Sequence, residues 1–133
     1  MIAVDTNILL RYVLADDTKQ TARVTRLIDR DCAPDRPALL PNVVLAEAIW
    51  YISQRLKRPK PEIVEMLWAL LDNLHLTFES RSAVEQAVQE YETGPADFAD
   101  YLIGTTAAAC GATPTFTFDR DAALRAPFAL LET

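Results

Sequence analysis

The chain has 133 residues, which fits one ordinary domain and leaves no room for two. Half of it is apolar and 24% is charged, near the globular norm, so nothing suggests disorder and a packed core is within reach. Thirteen basic residues against 19 acidic give a net charge of −6, which argues against the basic face of a sequence-reading DNA binder but not against a nuclease.

In chain order, Ile2 to Val4 reads as a buried first strand ending at Asp5. Thr6 or Asn7 then caps a helix that continues through Ile8 to Leu14. Thr18 to Arg30 has helical spacing, with Ala22, Val24, Leu27 and Ile28 on the apolar side. Pro34 and Pro37 mark a loop, and Ala38 to Leu40 is a second short strand. Pro41-Asn42 opens a helix from Val43 to about Lys57, ended by Pro59 and Pro61. Pro61 suits the first turn of the next helix, Glu62 to Asn73. Leu76 to Phe78 reads as a strand. Ser82 with Glu85 makes a capping box for a helix to Tyr91, which Gly94-Pro95 breaks. A helix from Ala96 to Cys110 stops at Gly111. Thr115 to Phe118 is a strand ending at Asp119, and a short helix and a last strand near Phe128 to Leu131 follow. Strands alternating with helices predict an α/β fold with a mostly parallel sheet, in a single domain over residues 1–133.

The N-terminus carries Asp5 and Arg11 and lacks the pattern of a signal peptide. No apolar run approaches the roughly 18 residues of a membrane span. The expectation is a soluble cytoplasmic protein with no membrane contact. Cys32 and Cys110 have no metal-ligand spacing and read as reduced thiols.

Most acids sit in polar company and read as solvated faces: Asp16-Asp17, Asp29, Asp31, Glu62, Glu90 and Glu92. Four do not. Asp5 follows Ile-Ala-Val, Glu47 interrupts an apolar run from Val43 to Trp50, Asp100 lies between Phe98-Ala99 and Tyr101-Leu102, and Asp119 ends Phe116-Thr117-Phe118. A buried carboxylate must be protonated, paired or metal-bound. No Lys or Arg falls within six residues of Glu47, while Arg11, Arg120 and Arg125 remain as partners for others. If the four acids converge they repel one another, and divalent cations remove that repulsion. Mg²⁺ prefers carboxylate and water oxygens. Asp5 and Asp119 also have a local role available as helix N-caps. Asp97 and Asp121 read as first-turn acids favoured by the helix dipole, and Asp97 shares a face with Asp100.

These residues resemble the four acidic motifs of PIN domains: Asp5-Thr6-Asn7 after an apolar strand, Glu47 closing Asn42-Val-Val-Leu-Ala-Glu47, Ala96-Asp-Phe-Ala-Asp100-Tyr-Leu-Ile, and Thr117-Phe-Asp119. Within that family the likeness is to VapC toxins of bacterial and archaeal toxin–antitoxin pairs, and it runs from Met1 to about Ala123. The resemblance implies helices sandwiching a five-stranded, mostly parallel sheet (α/β/α), Mg²⁺ or Mn²⁺ as cofactor, and hydrolysis of single-stranded RNA. It places the catalytic acids at Asp5, Glu47, Asp100 and Asp119, with Asp121 as the alternative fourth acid. Asp5, Asp100 and Asp119 become the metal ligands, and Thr6, Asn7, Asp97 and Thr117 support them. In such a site a metal-activated water attacks the phosphodiester, and Glu47 holds that water or accepts its proton. The resemblance also implies a cognate antitoxin and a homodimer, for which Trp50, Tyr51, Met66 and Trp68 supply apolar surface. His75 is the single histidine, so a two-histidine ribonuclease mechanism is impossible within one chain.

Two other functions remain open. Asp5 at the end of a first strand suits a phosphatase with an aspartate nucleophile, although Asn7 stands where such enzymes usually carry a second Asp. A non-catalytic metal- or RNA-binding module is the third reading.

Overall fold

A computed structural model describes residues 1–15 and 18–132, so the Asp16-Asp17 pair lies outside the described residues. The chain divides into two compact units, Met1–Arg81 and Ser82–Thr133.

In the first unit, strand β1 (Ile2–Ala3) pairs in parallel with β2 (Ala38–Leu40), which pairs in parallel with β3 (Leu76–Phe78). Ala38 faces both Ile2 and Leu76 in register, so β2 is the central strand. Its position explains its burial: Ala38 and Leu40 are fully enclosed. Strand β1 lies at the sheet edge with Ile2 and Ala3 exposed, which corrects the expectation of a buried first strand. Only Val4, whose amide donates to Leu39 O at 3.2 Å, turns inward.

Helix α1 (Thr6–Leu14) follows directly, and α2 (Thr18–Arg26) runs into a π-helical segment, Leu27–Asp31. Helix α3 (Asn42–Trp50) continues likewise into a π-helical segment, Tyr51–Arg55, and α4 (Lys60–Asp72) carries Pro61 in its first turn as expected. Burial of Leu9, Ile28, Leu40, Leu45, Ile52, Ile63, Leu67 and Leu71 makes the core of this unit. Each fully buried Leu or Ile stabilises the fold by roughly 1.5–3 kcal/mol before entropy is counted. His75 is structural: its Nδ1 lies 2.9 Å from Ile28 O. Cys32 is buried and Cys110 exposed, both as free thiols.

In the second unit, α5 (Arg81–Thr93) begins at Arg81, so Ser82 falls inside the first turn rather than at the expected cap. Helix α6 (Phe98–Ala109) is followed by Gly111 at φ +82, a left-handed position that suits glycine. Strand β4 (Thr115–Thr117) pairs in parallel with β5 (Phe128–Leu130), and a 3-10 turn, Ala122–Leu124, lies between them. Two contacts fix α6 in this unit. Thr105 Oγ1 donates to Ala83 O at 2.8 Å, and Gly104 lets the Phe128 ring approach so closely that a Cβ there would stand 2.7 Å from it.

The class is α/β and the strand pairing is parallel, but the expected five-stranded sheet is corrected. The five strands form two sheets, three strands in one and two in the other. Each strand contributes only two or three residues to its ladder, and the two sheets fall in different units of the chain, β1 to β3 in Met1–Arg81 and β4 with β5 in Ser82–Thr133. No helix among the described residues is long and apolar enough to cross a membrane.

Candidate functional site

Asp5 stands just past the carboxyl end of β1, where ligands of parallel sheets bind. It is the N-cap of α1, in place of the expected Thr6 or Asn7, and its Oδ1 accepts the Ile8 amide at 3.0 Å. The local role available to it is therefore real. It occupies one carboxylate oxygen and leaves the other side of the group exposed. Thr6, the first residue of the helix, donates from Oγ1 to Glu47 Oε1 at 2.9 Å. That bond brings the second acid to the residue beside the first. Asn7 is exposed and lines a cavity of about 370 Å³ with Arg11 and Arg23. Among the described residues it holds neither acid.

Glu47 is exposed, which corrects its reading as a buried acid. Helix α3 buries Val44, Leu45, Ala48 and Ile49 and turns Val43, Glu47 and Trp50 outward. Positions four and three apart share a helical face, so Glu47 sits on the open side of an apolar helix. The start of the helix is held by Glu79, whose Oε1 accepts the Asn42 amide at 2.6 Å.

In the second unit, Asp97 is the N-cap residue of α6 rather than a first-turn acid, and its side chain makes no capping bond. Asp100 lies in the first turn and is half-buried. Burial pushes its carboxyl pKa up from the usual 3.8, and the charges of Asp119 and Asp97 push it further, while the Asp97 amide works the other way. The charges of Asp119 and Asp97 thus both reach Asp100. Asp119 follows β4, and its Oδ1 accepts the amides of Asp121 at 2.9 Å and Ala122 at 3.2 Å. Thr117 Oγ1 accepts the Asp119 amide at 3.0 Å, so it positions the backbone of that acid. Asp121 only begins a 3-10 turn and makes no side-chain capping bond. Arg125, a partner considered for the motif acids, binds Glu90 at 3.1 Å and Thr93 at 2.8 Å instead.

Tyr101 is a positioning residue that sequence reasoning passed over. Its hydroxyl accepts the Ala96 amide at 3.1 Å and fixes the approach to α6. Gly94 makes room for it, because a Cβ there would lie 1.9 Å from that hydroxyl. The signal was a buried-type aromatic next to Asp100 and five residues after Ala96.

Among the described residues, no group of three His, Cys, Asp or Glu side chains is placed to hold a metal ion. Mg²⁺ does not demand such a cage. It is usually held by one or two carboxylates and keeps several waters. All the candidate donors are carboxylates, a hard-oxygen set that fits this ion, and the repulsion raising the Asp100 pKa is what a cation relieves.

No curated protein matches the chain. A family model described as PIN domain matches residues 2–128, and PIN domains are generally nucleases that act on nucleic acid and use divalent metal ions. Asp5, Glu47, Asp100 and Asp119 all fall inside a match that takes in nearly the whole sequence: the chain belongs to the PIN domain family.

Proposed function

We propose that this PIN domain is a Mg²⁺-dependent endoribonuclease, with Mn²⁺ as a substitute ion, that cuts single-stranded RNA as the toxin of a toxin–antitoxin pair. The acids assigned to the reaction are Asp5, Glu47, Asp100 and Asp119, and the resemblance to PIN domains gives Asp5, Asp100 and Asp119 as the metal ligands. One observation carries the reading: Asp100 stands within reach of the charges of Asp119 and Asp97 at the start of α6. A protein does not gather carboxylates in this way for stability, because their repulsion opposes folding unless a cation is present.

When bound, the divalent ion supplies a more acidic water and neutralises charge on the phosphate. The chain's own residues do the rest. Glu47 accepts the proton of the attacking water, and Thr6 holds Oε1 of Glu47 by a hydrogen bond of 2.9 Å. Asp119 is oriented by two backbone amides that donate to its Oδ1. In-line attack leaves a 5′-phosphate and a 3′-hydroxyl and needs no 2′-hydroxyl chemistry.

The protein works in the cytoplasm as a homodimer restrained by a cognate antitoxin. The experiment is cleavage of labelled single-stranded RNA with Mg²⁺, with EDTA, and by the Asp5→Asn variant. Cleavage that needs both the ion and Asp5 supports the reading. Full activity of the variant, or of the protein in EDTA, overturns it.

A further inference from the structure

The segment that leaves α3 carries features that the four acids do not use. Arg55, Lys57, Arg58 and Lys60 place four of the chain's 13 basic residues between positions 55 and 60, with no acid among them. Arg55, Leu56, Lys57 and Arg58 are exposed. Arg58 is engaged by Glu62 at 2.7 Å, whereas among the described residues neither Arg55 nor Lys57 has a carboxylate at ion-pair distance. In a chain of net charge −6, a polyanion must find places where cations gather.

The same segment carries flat apolar surface. Trp50 is 49% exposed and Tyr51 40% exposed. The Arg55 guanidinium lies 5.9 Å from the centre of the Trp50 ring, within cation–π range. Trp50 lies three residues after Glu47 on the outward face of α3. An aromatic face beside a run of cations is the pairing that holds single-stranded nucleic acid. Bases stack on the ring, and cations take the phosphates.

We infer that Trp50, Arg55 and Lys57 form a platform for single-stranded RNA, on which one unpaired base stacks on Trp50 while Arg55 and Lys57 contact flanking phosphates. The inference rests on the nuclease reading for its choice of RNA, and it adds where the strand is held. The short helical step from Trp50 to Glu47 sets the held base about one turn away from the proton acceptor. A duplex cannot use the ring, because its bases are already stacked. The platform therefore selects unpaired RNA.

The test is equilibrium binding of a labelled single-stranded RNA of mixed sequence, measured in EDTA so that no strand is cut. Trp50→Ala is expected to weaken binding about 5- to 100-fold, and Trp50→Phe to recover part of that loss. Replacing Arg55 and Lys57 by Ala is expected to flatten the salt dependence, by about 0.7 in log–log slope for each phosphate no longer neutralised. With Trp68→Phe in place, Trp50 is the remaining one of two tryptophans, and its fluorescence is expected to fall on binding. Unchanged affinity and slope in the variants overturn the platform, and if the unaltered protein still cleaves RNA the nuclease reading survives. Weakened binding in the variants without cleavage by the unaltered protein supports the platform and counts against the nuclease reading alone. A change of oligomeric state in Trp50→Ala with RNA affinity intact assigns the face to a second copy and overturns the platform.

Discussion

Thr6 and Glu47 stand 41 residues apart in the chain, and a single hydrogen bond of 2.9 Å from hydroxyl to carboxylate joins them. The first residue of α1 thereby sets the orientation of an acid on α3. A carboxylate on an exposed helical face would otherwise sample several rotamers.

Thr6→Val removes this bond while keeping the shape of the side chain. Loss of an orienting partner of this kind typically costs about 10- to 100-fold in activity. The variant should show that loss in kcat with its thermal stability nearly unchanged, and Thr6→Ser should restore most of the rate. Equal rates for Thr6→Val and the unaltered protein would remove Glu47 orientation from the mechanism.

Asp5 serves α1 as well as the proposed chemistry, and the two roles separate by substitution. Asn caps a helix about as well as Asp, whereas Ala loses about 1 kcal/mol. Asp5→Asn should therefore unfold at the same temperature as the unaltered protein yet lack cleavage. Asp5→Ala should lose both. Thermal denaturation alongside RNA cleavage distinguishes these outcomes.

Asp100 predicts a pH dependence of known sign. Its folded pKa is raised above the ordinary 3.8 by burial and by Asp119 and Asp97. Between 3.8 and the raised value the folded protein binds more protons than the unfolded chain, so metal-free stability falls as pH rises through that window. Asp100→Asn should consequently melt higher than the unaltered protein at neutral pH without metal, and the difference should vanish in acid. Added Mg²⁺ should raise the melting temperature of the unaltered protein more than that of the variant. Opposite signs in calorimetry would contradict the crowding of these carboxylates.

Gly94→Ala forces a methyl against the Tyr101 hydroxyl at 1.9 Å and the Glu90 carbonyl at 2.8 Å. Overpacking of this kind costs about 1–3 kcal/mol. Since Tyr101 holds the approach to α6, denaturant titration should show the loss of stability, and cleavage should fall with it.

Much of this was legible in the sequence, and the misses have physical causes. Strands β2 and β3 coincide with Ala38 to Leu40 and Leu76 to Phe78, because short apolar runs bounded by turns leave few alternatives. Asp5 announced its cap by its place before an amphipathic stretch. Glu47 misled, because an apolar run reveals hydrophobicity but not which face of the helix is covered. The expected helix to Lys57 instead widens into a π-helical segment over Tyr51–Arg55, where Leu56 donates to Tyr51 O, and uniform apolar character around Trp50 gave no periodicity to mark the change. The helix expected from Ala96 begins two residues later at Phe98, which moves Asp97 from the first turn to the cap, within the ordinary uncertainty of a helix end.

Lys57 adopts φ +55, a left-handed conformation in a residue that bears a Cβ. That costs roughly 1–2 kcal/mol against glycine, which takes the same backbone freely. A chain selected for robustness alone would place glycine at this corner, so Lys57→Gly offers a route to a sturdier molecule. If the ammonium group grips RNA, the sturdier molecule is also the poorer binder, and thermal tolerance trades against substrate capture at a single residue.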